Sequence, residues 1–170
     1  GVPGINAIID MFFRKWLLNN KVQPSEVNIV EALLPNMADM LKAGQVDAIT
    51  PIEPIVTRAV AAGGTKAIDF YSEVNPDVVA AFWIASRQWA DNNRKTVVAF
   101  QAAYNEAIAY IAKNPDEARK IEIATLKFAA PTFPTFNTTV TSQDLDVISS
   151  IGRELGIMKS QLDHAKFIWK

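Results

Sequence analysis

The chain has 170 residues, 49% of them hydrophobic and 21% charged, enough apolar material for a sizeable core and too much for a disordered segment. Lys plus Arg number 17 against 18 for Asp plus Glu, and no run of like charge is long enough to follow a phosphate backbone, so nucleic acid is not an expected partner. The absence of cysteine excludes disulfides, thiolate metal sites and cysteine nucleophiles, and the longest apolar runs, such as residues 78–85, fall far short of the about 18 residues that span a bilayer.

The chain opens Gly1-Val2-Pro3-Gly4 without a methionine, and these residues read as the end of a strand entering a turn. A natural domain rarely starts there, so the start is expected to result from processing or truncation, and the missing signal peptide says nothing about secretion. Ile5, Ile8, Ile9, Phe12, Phe13, Trp16 and Leu17 then recur at helical spacing until Asn19-Asn20 ends the run. Residues 27–33 predict a strand, Pro35-Asn36 leads into a short helix over Met37, Met40 and Leu41, and Gly44 closes it. Residues 46–50 predict the next strand. Pro54 suits a first helical position, and the helix over 54–62 stops at Gly63-Gly64.

Residues 67–70 predict a further short strand, and residues 78–86 are apolar enough for a strand buried on both faces. This alternation predicts a mostly parallel sheet with right-handed crossovers. From Thr96 the pattern turns helical, with Val97, Phe100, Gln101, Tyr104, Ala107, Ile108 and Ile111 on one face up to a break at Asn114-Pro115. Pro115-Asp116-Glu117 starts another helix, residues 128–136 form a loop, and Thr141 with Asp144 makes a capping box for a helix that Gly156 ends.

Several landmarks occur in a telling order: Gly-Val-Pro-Gly-Ile-Asn-Ala7, Pro35-Asn-Met-Ala38, Leu41-Lys-Ala-Gly-Gln-Val-Asp-Ala48, Glu53-Pro54, Phe82-Trp-Ile-Ala-Ser86, the late Thr-x-x-Asp cap and Leu155-Gly-Ile-Met158. In them the chain resembles the C-terminal part of the periplasmic substrate-binding proteins of nitrate, sulfonate, taurine and pyrimidine ABC importers. The resemblance implies an α/β, type II periplasmic-binding-protein-like fold: one nearly complete ligand-binding α/β lobe over residues 1–77, then a hinge strand and the helical C-terminal part of the first lobe over 78–170. It also implies a small-molecule solute, a membrane permease as partner, and a periplasmic or lipid-anchored extracytoplasmic location. The first half of the first lobe is then absent here. The chain is expected to hold one wall of the cleft and to bind poorly alone, and the apolar face of Val97, Phe100, Tyr104, Ile108 and Ile111 is expected to be covered by another copy, by a first-lobe segment or by rearranged helices of this chain, symmetric self-association being the simplest of these.

The residues themselves supply a ligand chemistry for that wall. The helix start after Gly4 presents unpaired backbone N–H groups to an anion, at Ala7 and beyond, and Asn6 adds a side-chain donor unless it caps its own helix. Glu53, between two prolines at a strand's end, is an acceptor for an amine or ring N–H; its alternative role is to complement the helix dipole as a first-turn glutamate. Asn36 and Thr50 occupy equivalent loops after neighbouring strands.

No cofactor is expected. His164, the single histidine, reads as structural, and no metal spacing accompanies it. Phe12, Phe13 and Trp16, like Phe100 and Tyr104, read as core, and Arg87 as a solvated surface arginine. No Ser/His/Asp set or phosphate loop is evident, so catalysis is not expected. A thiamin-pyrimidine synthase of the resembled fold carries a cysteine-rich motif that this chain lacks. A ligand-sensing regulatory domain of the same fold is the nearer alternative.

Overall fold

The computed structural model describes residues 1–127, 129 and 131–169; Phe128 and Ala130, in the expected loop over 128–136, and Lys170 lie outside the described residues. The chain divides into two compact units, Gly1–Ala80 with Thr141–His164, and Ala81–Val140 with Ala165–Lys170.

In the first unit, helix α1 (Ile8–Asn19) follows the predicted periodicity and ends at Asn20. It packs on α4 (Phe70–Val74) and on α8 (Ser142–Glu154), and their contact forms the core. Met11, Phe12, Phe70 and Ile151 are buried there, surrounded by Ile8, Ile9, Phe13, Trp16, Tyr71, Val147 and Ile148. Phe12 stacks on Tyr71 with ring centroids 4.7 Å apart, and Phe13 meets Phe70 edge-on at 5.8 Å. The aromatic face of α1 is therefore core, as its spacing predicts. Helix α8 begins with the expected capping box: Thr141 Oγ1 accepts from Asp144 N, and Asp144 Oδ2 accepts from Thr141 N at 2.7 Å. Gly156, at φ +70°, lets the chain leave that helix in a left-handed turn.

The predicted sheet is the main departure from expectation. Among the described residues no β-ladder exceeds one bridge, the parallel pair Val2 and Glu31. Val2 N donates to Val30 O and its carbonyl accepts from Ala32 N; on the other side the Gly1 ammonium donates to Ala48 O at 2.7 Å and its carbonyl accepts from Thr50 N. Residues 1–2 thus lie between 30–32 and 48–50 in parallel pattern. One rung to each side is the pairing seen among the described residues, so the α/β lobe expected over 1–77 shows no full strand.

Helix α2 (Met37–Lys42) follows the 30–32 segment, and α3 (Ile55–Ala61), one residue later in its start than expected, follows 48–50. Residues 67–70 differ outright. Phe70 starts α4 rather than ending a strand, because Phe70, Tyr71 and Val74 share the helical face that packs on α1.

The second unit holds α5 (Arg87–Asn92), α6 (Arg94–Lys113) and α7 (Pro115–Leu126), with Pro115 at the start of α7 and Asp116 and Glu117 in its first turn as predicted. Arg94 lies 4.5 Å over the Trp169 ring, and Trp169 Nε1 donates to Asp91, so the last described residues strap α5 and α6. Ala90 and Ala118 are its only buried hydrophobic residues among those described. No residue of α6 is buried. Phe100 is 45% exposed, so the face of Val97, Phe100 and Tyr104 is not core here. Residues 78–86 are not a strand buried on both faces either: Trp83 and Ile84 are 73% and 91% exposed because nothing described pairs with them.

Two outcomes follow from the first unit's core. Phe12→Ala removes a fully buried ring and is expected to lower unfolding free energy by about 3–5 kcal/mol in denaturant titrations. Burial raises the Tyr71 hydroxyl from 10.0 to about 12, so the folded state holds that proton more tightly than the unfolded chain. This contribution is complete below pH 10 and is lost as pH rises from 10 towards 12. Thermal melts across that window are expected to decline less steeply for Tyr71→Phe than for the wild type.

Candidate functional site

The parallel pattern around residues 1–2 determines where the candidate residues emerge. With the first segment in the centre, the second (30–32) on one side and the third (48–50) on the other, all three chains leave at the same carboxyl edge. In open α/β arrangements of this order, ligands bind beyond that edge, at the crevice between the first and third segments. Asn6 and Ala7 follow the first segment, Thr50 and Glu53 end the third, and Asn36 follows the second.

The turn into α1 is tightly built. Asn6 takes φ +64°, a left-handed conformation that asparagine tolerates better than most residues. Its N–H donates to Asp10 Oδ2 at 2.7 Å, and Ile5 N donates to Glu31 Oε1 at 2.9 Å. Asp10 is fully buried, and both its oxygens lie 2.9 Å from Arg14 Nε. The carboxylate therefore joins the turn to the helix that follows it.

Helix α1 has Ala7 at its N-cap, with no side-chain cap. Asn6 does not cap it: its side-chain amide is free among the described residues, and the N–H groups of Ile8 and Ile9 have no acceptor there. A helix start with open N–H groups and a partial positive charge is suited to an anion.

Across the edge, exposed Glu53 uses Oε2 to accept from Thr57 N and Thr57 Oγ1, at 3.1 and 2.9 Å, while Oε1 has no partner among the described residues. It serves the first turn of α3 with one oxygen and keeps the other open. The Glu53–Pro54 peptide is cis. Lys66 is held above its ordinary pKa, first by its hydrogen bond to Asp69, then by the charge of Asp69 and, least, by that of Glu53. Thr50 is buried and turns both N–H and Oγ1 to Gly1 O, at 3.0 and 3.3 Å, so it holds the central segment. Asn36 is exposed at the end of a 3-10 turn, Leu34–Asn36, and makes no side-chain cap.

The sequence reading passed over Asp10, Arg14 and Glu31; the i, i+4 spacing of Asp10 and Arg14 was a visible signal, and Glu31 had none. It also passed over a second polar set. His164 Nδ1 lies 3.0 Å from Asp146 Oδ1, and its Nε2 lies 3.0 Å from Ser149 Oγ. These are the residue types of a serine nucleophile with its base and orienting acid. Ser149, however, is 3% exposed in the middle of α8, where its hydroxyl also reaches Asp146 O. A substrate carbonyl has no approach to it in this structure. The set clasps α8 to the chain beyond it. Among the described residues no group of acidic or histidine side chains could hold a metal ion.

A model of the NMT1-like family matches residues 5–126. The chain belongs to the NMT1-like family. No curated protein and no solved structure matches it. Membership points to the binding of a small-molecule solute. The match takes in Asn6, Ala7, Asn36, Thr50 and Glu53, and stops short of Asp146, Ser149 and His164.

Within this NMT1-like chain the turn before α1 depends on one buried carboxylate. Asp10→Ala leaves Arg14 and the Asn6 N–H without their acceptor, and is expected to cost about 2–4 kcal/mol. Hydrogen exchange at Asn6, faster in the variant than in the wild type, locates the loss in the turn.

Proposed function

We propose that this NMT1-like chain belongs to the solute-binding component of an ABC importer, which captures a small anion or heterocycle of the sulfonate, nitrate, taurine or pyrimidine type between two lobes. One observation supports the reading most: open N–H groups at the start of α1 and the open Oε1 of Glu53 emerge at the same carboxyl edge of parallel segments. The first suits the anionic or carbonyl end of a solute, and the second an amine or ring N–H. Asn6 contributes a further donor or acceptor beside them.

Closure of a second lobe over this edge removes water from both contacts, which strengthens each hydrogen bond, and reopening releases the solute unchanged to a membrane permease. The proposed site offers donors and one carboxylate acceptor, and the role proposed for it is binding. The proposed place of work is the periplasm, or the outer face of a membrane through a lipid anchor.

Glu53→Gln preserves an oxygen for Thr57 but removes the charge. In the protein with both lobes present, calorimetry with taurine and with a pyrimidine as probes is expected to show about 1.5–3 kcal/mol weaker binding of the probe that donates an N–H. Unchanged affinity for both probes with an intact fold would remove Glu53 from the site.

A further inference from the structure

Four large apolar side chains of the first unit stand exposed among the described residues, Ile5, Leu33, Ile52 and Val60, and the first three lie at the carboxyl edge, one in each loop. Ile5 follows the first segment, Leu33 the second and Ile52 the third, at 44%, 69% and 47% exposure. Single exposed apolar residues are ordinary on a protein surface. One from every loop of the same edge, beside the open groups of α1 and Glu53, is not scatter.

Each of the three is held by its own backbone. Ile5 N donates to Glu31 Oε1 at 2.9 Å, which draws its loop towards the second segment; Leu33 O accepts from Asn36 N at 2.8 Å, and Ile52 O accepts from Ile55 N and Val56 N at 2.9 and 3.3 Å. The side chains are therefore presented by a fixed main chain and stay outside the core, which Met11, Phe12, Phe70 and Ile151 make elsewhere. Paired strands run about 4.8 Å apart, so three parallel segments release their loops within about 10 Å of one another, the breadth of a substituted six-membered ring. A hydrated inorganic oxyanion gains nothing from apolar neighbours and loses water on meeting them. An apolar body gains in proportion to the area it removes from water.

We propose that Ile5, Leu33 and Ile52 are the apolar part of the solute site and select an organic solute: an aryl or branched alkyl body with an N–H donor at one end, for Glu53, and an anionic or carbonyl acceptor at the other, for the start of α1. On the solute-binding reading above, on which this rests, bare inorganic oxyanions and solutes with a short, flexible link between their two ends rank below apolar-bodied ones. Glu53 and the α1 N–H groups orient the solute, and the three side chains supply the area that discriminates.

Nitrate, taurine and sulfanilate, an aminobenzenesulfonate, are the probes, in the protein with both lobes present. The last two share an amine and a sulfonate and differ in the body between them. Calorimetry is expected to show sulfanilate binding about tenfold tighter than taurine, with nitrate weakest. Leu33→Asn and Ile52→Thr are each expected to cut the preference for sulfanilate over taurine about fivefold, and to move taurine affinity by less than about twofold. Circular dichroism of each variant confirms that the helices persist. Taurine or nitrate binding as tightly as sulfanilate leaves solute binding in place and overturns the apolar selection. Variants that weaken taurine and sulfanilate equally also overturn it, since the side chains would then serve lobe closure and not discrimination. Binding of none of the three overturns the solute-binding reading itself, and the apolar selection with it.

Discussion

Four hydrogen bonds from the backbone of Gly1 and Val2 hold the first unit's carboxyl edge in place. They set residues 30–32 and 48–50 parallel on either side of a two-residue centre, and so direct the three following loops to one side. Burial lowers the pKa of the Gly1 ammonium, and the charge of Asp47 opposes it. Val2 is itself only 1% exposed. Each candidate residue takes its position from this pairing, because Asn6 and Glu53 lie far apart in the sequence and share no hydrogen bond among the described residues.

The two units rest on different physics. In the first, α1, α4 and α8 bury Phe12, Phe70, Met11 and Ile151 together, and the dispersion and transfer terms of four large side chains far exceed those of the surface ion pairs, such as Lys15 with Glu154, that decorate them. In the second, long helices bury only Ala90 and Ala118 among the described residues, and leave Val98, Phe100, Ile121, Ile123 and Leu126 about half exposed. Aromatic contacts among Trp83, Phe100, Tyr104 and Phe136 replace a core with a surface cluster. A unit so built stores unburied apolar area, and contact with further protein surface is the way to remove it from water.

The polar sets of the first unit differ in accessibility more than in chemistry. Asp146, His164 and Ser149 have the spacing of a catalytic relay, yet the hydroxyl is sealed within α8. Asn6 and Glu53 have unremarkable chemistry, yet each keeps a polar atom open at the carboxyl edge. A ligand needs groups that are oriented by the fold and not consumed by it, and the second arrangement is of that kind. Glu53 shows both at once, with one oxygen engaged by Thr57 and the other unengaged.

Helices and their ends were legible in the sequence because they depend on neighbours within four residues. The periodicity of α1, Pro115 opening α7, the Thr141 and Asp144 box, and Gly44 and Gly156 as stops are all local, and all are present. What the sequence could not decide was pairing across the chain. Residues 46–50 and 78–86 both read as strands, but one finds Gly1 to bond while 79–85 finds no backbone partner among the described residues, and a strand exists only when a second segment satisfies its N–H and C=O groups. Residues 67–70 became the approach to a helix because Phe70, Tyr71 and Val74 gain more from packing on α1 than from any ladder on offer. Asp10 with Asn6, and His164 with Ser149, needed the folded chain to show which polar groups are consumed, and that is a matter of distance in space and not of order along the sequence.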